Sequence, residues 1–105
     1  MLSLFDQPQE FPRDVSAFQA QLQAEGYPTS VSVSQPAGYR MDEHAHDFDA
    51  CALITAGEFS ITVQGQCHRF GVGDVFRLPA GTLHAESAGE QGAQYLAGRR
   101  SKAQP

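Results

Sequence analysis

The chain has 105 residues, of which 41% are apolar and 18% charged, and a formal net charge of −5. That length and balance describe one globular domain and exclude a disordered or fibrous chain. Four basic against twelve acidic residues give the first 98 positions a net charge of −8, a poor match for nucleic acid or an anionic membrane. Arg99, Arg100 and Lys102 are too few to reverse it.

In chain order, residues 1–13 mix Pro8, Pro12 and acids with Leu2, Leu4 and Phe5 and read as an extended arm. The segment from Met1 to Asp6 has neither a positive region nor a long apolar run, so no signal peptide is expected. Asp14 has the character of a helix N-cap. Val15, Phe18 and Leu22 follow as a narrow apolar stripe, and Gly26 with Pro28 beyond it ends the helix. The arm and helix, residues 1–28, are expected to cap the domain or to cover a partner's sheet edge, which makes a homodimer the expected assembly.

From Thr29 the helical period vanishes. Val31 and Val33 alternate with serines, Ala50–Thr55 is mostly apolar, and Phe59, Ile61 and Val63 alternate with Ser60 and Thr62. Gly57, Gly65, Gly73 and Pro79–Gly81 punctuate the stretch, and Gln64-Gly65 fits a tight hairpin turn. Short strands with regular turns predict an all-β sandwich or barrel over residues 29–98. No crossover helix is available, so the sheet must be antiparallel. Residues 99–105 read as a disordered basic tail. With only Cys51 and Cys67, the chain is read as reduced and cytoplasmic; no run approaches the length of a membrane span.

Three histidines carry the chemistry. His44 and His46 are two apart, so on a strand both rings project from one face. His84 follows the Pro79-Ala80-Gly81 turn, and an antiparallel barrel can bring it opposite that pair. Converging imidazoles hold divalent metals, with Zn, Fe, Ni and Mn among the candidates, and the nearest ring nitrogens are then expected about 3–4 Å apart. A His-x-His pair alone could also be a surface coincidence, and a lone histidine a core residue.

The wider spacing is more specific. Gly38, five residues, His44-Ala45-His46 and a later Gly57 form one block; Gly73, five residues, Pro79, Gly81 and His84 form a second without gaps. The two blocks resemble the paired signature of the cupin superfamily over roughly residues 31–97. That resemblance implies an antiparallel double-sheet jelly-roll barrel with a short N-terminal helix, and His44, His46 and His84 as metal ligands. Two positions depart from the family pattern: its glutamate ligand falls on Ala50 and its terminal asparagine on Ala88.

Glu86, two residues after His84, shares its face if the strand continues. It is a candidate fourth ligand, general base or partner for an imidazole N–H, unless the strand frays and leaves it in solvent. Asp47 and Asp49 read as turn residues on the surface, His68 as a core histidine or a cavity-lining one, and Cys51 as a small buried hydrophobe. Phe59, Ile61 and Val63, with Phe76 and Leu78, are expected to wall an apolar cavity for a small molecule. The resemblance covers enzymes and sensors alike. The leading expectation is a single-metal cupin, an oxygenase- or isomerase-type enzyme on a small organic molecule. The alternative is a non-catalytic ligand-binding module resembling the effector domain of a sugar-responsive transcription regulator.

Overall fold

The computed structural model describes residues 14–101; the arm of residues 1–13 and the last four positions of the expected tail lie outside the described residues. One helix, α1 (Val15–Ala24), precedes six strands: β1 (Ser30–Gln35), β2 (Arg40–His44), β3 (Phe48–Val63), β4 (Gln66–Gly71), β5 (Val75–Leu78) and β6 (His84–Ser101). All pairings are antiparallel. Among the described residues no helix is long and apolar enough to cross a membrane.

Two strands are far longer than the sequence led us to expect. β3 runs 16 residues and β6 runs 18, and they pair with each other almost end to end. The first part of β3 lies between β5 and the last part of β6, which in turn pairs with β1. The second part of β3 lies between β4 and the first part of β6, which pairs with β2. One sheet thus folds over on itself into two four-stranded halves, the double-sheet jelly roll expected for these residues.

The fold-over is built on glycine. The β3–β6 register shifts between Ile54 and Ala56 and again between Gly57 and Phe59, and Gly57 holds φ at +74°. A Cβ there would stand 2.1 Å from the Gly92 carbonyl oxygen, so no side chain fits. Gly57, taken from the sequence as a stop between strands, is instead the bend within one. The Gln64-Gly65 hairpin turn appears as expected, with both residues at positive φ.

The two halves enclose one apolar cluster, including Ala52, Ile54, Phe59, Ile61, Phe70 and Phe76. Period-two alternation sends the other residues outward. Cys51 and Leu53 join Val75, Leu96 and Tyr27 on the outer face, where Phe18 and Leu22 of α1 cover them. Asp14 caps the helix, accepting from the Ala17 N–H at 3.2 Å. Phe18 and Leu22 of the stripe are therefore spent on their own sheet while Val15 stays exposed, and Cys51 is the buried hydrophobe it was read to be.

A polar clamp closes this layer. Glu25, at the end of α1, takes both arms of Arg77 at 2.6 and 2.9 Å, and Arg100 reaches Asp49 at 2.9 Å and the Glu25 carbonyl. Arg99, Arg100 and Ser101 correct the expectation of a disordered tail from residue 99: they continue β6 opposite Ala50, Asp49 and Phe48. Their charge misled the reading; each guanidinium has an aromatic ring to lie on, Phe48 for Arg99 and Tyr27 for Arg100. The Arg77 hydrogen bonds hold the Glu25 carboxyl below the usual carboxylate range, against the opposing effect of burial. A carboxyl depressed in this way stabilises the fold fully at neutral pH, and that contribution is lost as pH falls through its folded value. Arg77→Met is expected to cost about 1 kcal/mol in urea unfolding at neutral pH. The cost should shrink under acid conditions that protonate Glu25; an equal cost at both would show the clamp contributes no charge interaction.

Candidate metal centre

His44, His46 and His84 come together. Their ring centroids lie 4.3 Å (His44–His84), 4.9 Å (His44–His46) and 5.3 Å (His46–His84) apart. Backbone bonds tie the two motif blocks to each other: the Gly81 N–H donates to the His46 carbonyl and the Ala80 N–H to Asp49 Oδ1, each at 2.8 Å. Asp47 is exposed as it was read, but Asp49 is not a surface turn residue: it lies on β3, half-buried, and binds the Ala80 N–H and Arg100.

The route to this convergence differs from simple strand parity. β2 ends at His44, and His46 lies in the connection to β3, its ring stacked on Phe48 at 4.7 Å. β2 also carries a bulge: Met41 faces Glu86 but His44 faces His84, so three steps on one strand match two on the other. The extra residue turns His44, not Glu43, to the side already taken by Tyr39 and Met41.

Glu86 completes the group. Its Oε2 stands 3.0 Å from His84 Nε2 and 3.4 Å from His44 Nε2, and its Oε1 accepts from the Tyr39 hydroxyl at 2.8 Å. β6 does not fray here; Glu86 pairs with Met41 and Ile61 on either side. Tyr39 was missed from the sequence, because the bulge after Met41 conceals that the two residues share a side. Burial and then the hydrogen bond to Glu86 raise the Tyr39 hydroxyl above its ordinary value, so the proton stays on the phenol.

The tautomers are fixed by the backbone. His44 Nδ1 lies 2.7 Å from the Asp42 carbonyl and His84 Nδ1 2.9 Å from the Thr82 carbonyl. A carbonyl can only accept, so both Nδ1 atoms carry hydrogen. In the neutral rings each Nε2 is then a lone pair, and both nitrogens stand close to the same carboxylate oxygen, with His84 in hydrogen-bond geometry to it. Acceptors facing acceptors at 3.0 and 3.4 Å need positive charge between them: protons on the rings, or a cation. His84 is completely buried, which makes an unshared charge there costly. Burial, with His44 and His84 alongside, lowers the His46 imidazole below its ordinary value, so this ring is a neutral donor at neutral pH.

One donor atom from each of His44, His46, His84 and Glu86 lies within 4.8 Å of the other three. That is slightly wider than the sequence expectation, and close to the about 4.2 Å across an octahedral ion with 2.1 Å bonds. Three imidazoles and one carboxylate suit a borderline divalent metal such as Zn, Fe, Ni or Mn. The residues present thus fit a metal, and the group could bind one.

His44, His46 and Glu86 line a cavity of about 230 Å³, while His84 is wholly buried. Its apolar wall includes Val33, Phe48, Phe59, Phe76 and Leu78, and its polar groups besides the donors include Gln35, Tyr95 and Arg99. Ile61 and Val63, expected in the wall, belong to the core around it instead. His68 sits on β4 opposite Ile61 and does not line the cavity. Ala50 does line it, so the position where the resemblance places a glutamate is an open notch.

The profile of the Cupin domain family matches residues 31–97. No curated protein matches the chain significantly. Among solved structures, a cupin superfamily protein from Desulfitobacterium hafniense is 24% identical, with a TM-score of 0.59 over 96% of this chain and 100% of its own. The DMSP lyase DddQ from Ruegeria pomeroyi is 27% identical, with a TM-score of 0.62 over 72% of this chain. Oxalate decarboxylase from Bacillus subtilis, which has Mn(II) centres, is 26% identical with a TM-score of 0.56, also over 72% of this chain. The matched part spans 39% of the lyase and 22% of the decarboxylase.

Proposed function

The chain belongs to the cupin domain family, and from that premise we propose that it holds one divalent metal ion through His44, His46, His84 and Glu86 and presents it to a small organic molecule in the adjoining cavity. The observation that carries this reading is the pair of imidazole Nε2 atoms that stand 3.0 and 3.4 Å from one carboxylate oxygen, an arrangement a shared cation resolves. Glu86 supplies from β6 the carboxylate that Ala50 cannot supply from β3.

When bound, the metal supplies a Lewis acid. The chain's own residues do the rest. The Asp42 and Thr82 carbonyls fix which ring nitrogens face the ion, and Tyr39 orients Glu86 by donating to its far oxygen. Phe48, Phe59 and Phe76 keep water from the ligand's apolar part. The likeness to a lyase and to a decarboxylase with Mn(II) centres, both more than a quarter identical, supports a metal-dependent enzyme.

Metal analysis of tag-free protein, followed by titration of the metal-free form with Mn, Fe, Ni and Zn, tests the reading. One ion per chain is expected, with none taken up by His84→Ala folded to the same circular dichroism. No uptake by the parent protein, or equal uptake by the variant, would overturn it.

A further inference from the structure

Arg99 occupies a position that the metal reading leaves unexplained. It stands directly across from Ala50 in the β3–β6 register, and both line the cavity. Its guanidinium lies 4.8 Å from the centre of the Phe48 ring, whose other neighbour is His46. Among the described residues no carboxylate pairs with it. Its neighbour Arg100, turned to the opposite side of the strand, is fully engaged by Asp49 and the Glu25 carbonyl.

The charges around the cavity do not balance. A divalent ion with Glu86 retains one positive charge, and Arg99, across the strand from the small side chain of Ala50, adds another to the same cavity. The cavity's remaining hydrogen-bond donors are few. Tyr39 gives its proton to Glu86, and the Gln35 side-chain N–H donates to Tyr95 at 3.3 Å. A phosphate, with three or four oxygens to satisfy, finds no cradle of backbone N–H groups among these lining residues. A carboxylate has two oxygens, matches the planar guanidinium and leaves an organic body for the aromatic wall.

Resting on the proposed metal centre, we infer that the cavity takes a small organic carboxylate, whose charged group sits over Ala50 between Arg99 and the metal. Arg99 is thus a specificity-determining residue, selecting the acid over its neutral counterpart.

The test uses butyrate and butyramide, which are near-isosteric and differ in charge. Each is titrated into the Zn-loaded protein while the backbone amide signals of Ala50 and Ala97 are followed by NMR. Butyrate is expected to bind at least about tenfold more tightly than butyramide. The preference should vanish in Arg99→Gln and persist in part in Arg99→Lys, with Zn uptake unchanged in both. Equal binding of the two probes, or a preference that survives Arg99→Gln, would overturn the inference while leaving the metal centre standing. If the protein takes up no Zn, the metal reading falls. The same titration on metal-free protein then decides the role of Arg99 alone: a preference that depends on Arg99 upholds its selection of the carboxylate without a metal contact, and equal binding overturns it.

Discussion

Glu86→Gln should lower the affinity for divalent metal by at least about 100-fold, or about 2.7 kcal/mol. The substitution keeps the size of the side chain and its ability to accept from Tyr39, now 2.8 Å away. It removes the negative charge that faces His44 and His84. An amide nitrogen or oxygen in its place is a weak ligand, and the ion loses its one anionic donor. The converse substitution, Ala50→Glu, would restore a carboxylate where the family resemblance places one. With Glu86 in that role, as proposed, Ala50→Glu should tighten metal binding little, and its carboxylate should pair with Arg99 across the strand. Competition against a chromophoric chelator measures both. A strong gain from Ala50→Glu with no loss from Glu86→Gln would show that Glu86 is not a ligand and that the site is a three-histidine one.

Phe59→Ala should cost about 3–5 kcal/mol of folding stability. Phe59 is 1% exposed and sits two residues past Gly57, the bend that folds the sheet over. It meets Phe76 of β5 at 5.8 Å, Tyr95 of β6 at 4.9 Å and Tyr39, just before β2, at 6.4 Å. It is the ring through which both halves and the carboxylate-orienting tyrosine touch. Truncating it leaves a void lined by three aromatic rings that cannot collapse together without moving their strands. Against a typical total of about 5–15 kcal/mol, the loss is a large share. Urea unfolding followed by circular dichroism gives the number. A loss below about 1 kcal/mol would mean that this ring is not the centre of the core.

Much of this was legible before the structure. The alternation of Phe59, Ile61 and Val63 and the glycine-marked turns gave an antiparallel barrel because a pleated strand writes its two faces into every second residue. The fixed spacing from Gly73 to His84 encodes one turn, Pro79–Gly81, whose N–H groups bind His46 and Asp49. Three features were not legible. The bulge between Met41 and His44 breaks the parity rule, so Tyr39 could not be placed beside Glu86. The bend at Gly57 looks in sequence like a strand end, because positive φ serves both. The run of basic residues at 99–102 carries the composition of a tail. Yet Tyr95, Ala97 and Arg99 continue the inward alternation of β6, a signal that charge obscured.

The most direct measurement is anomalous diffraction from crystals grown with Zn or Mn, collected at the metal's absorption edge. The account predicts a single strong peak per chain, bounded by the imidazoles of His44, His46 and His84 and by the Glu86 carboxylate. A peak elsewhere, or a crystal at full metal loading with no peak among these four side chains, would contradict it.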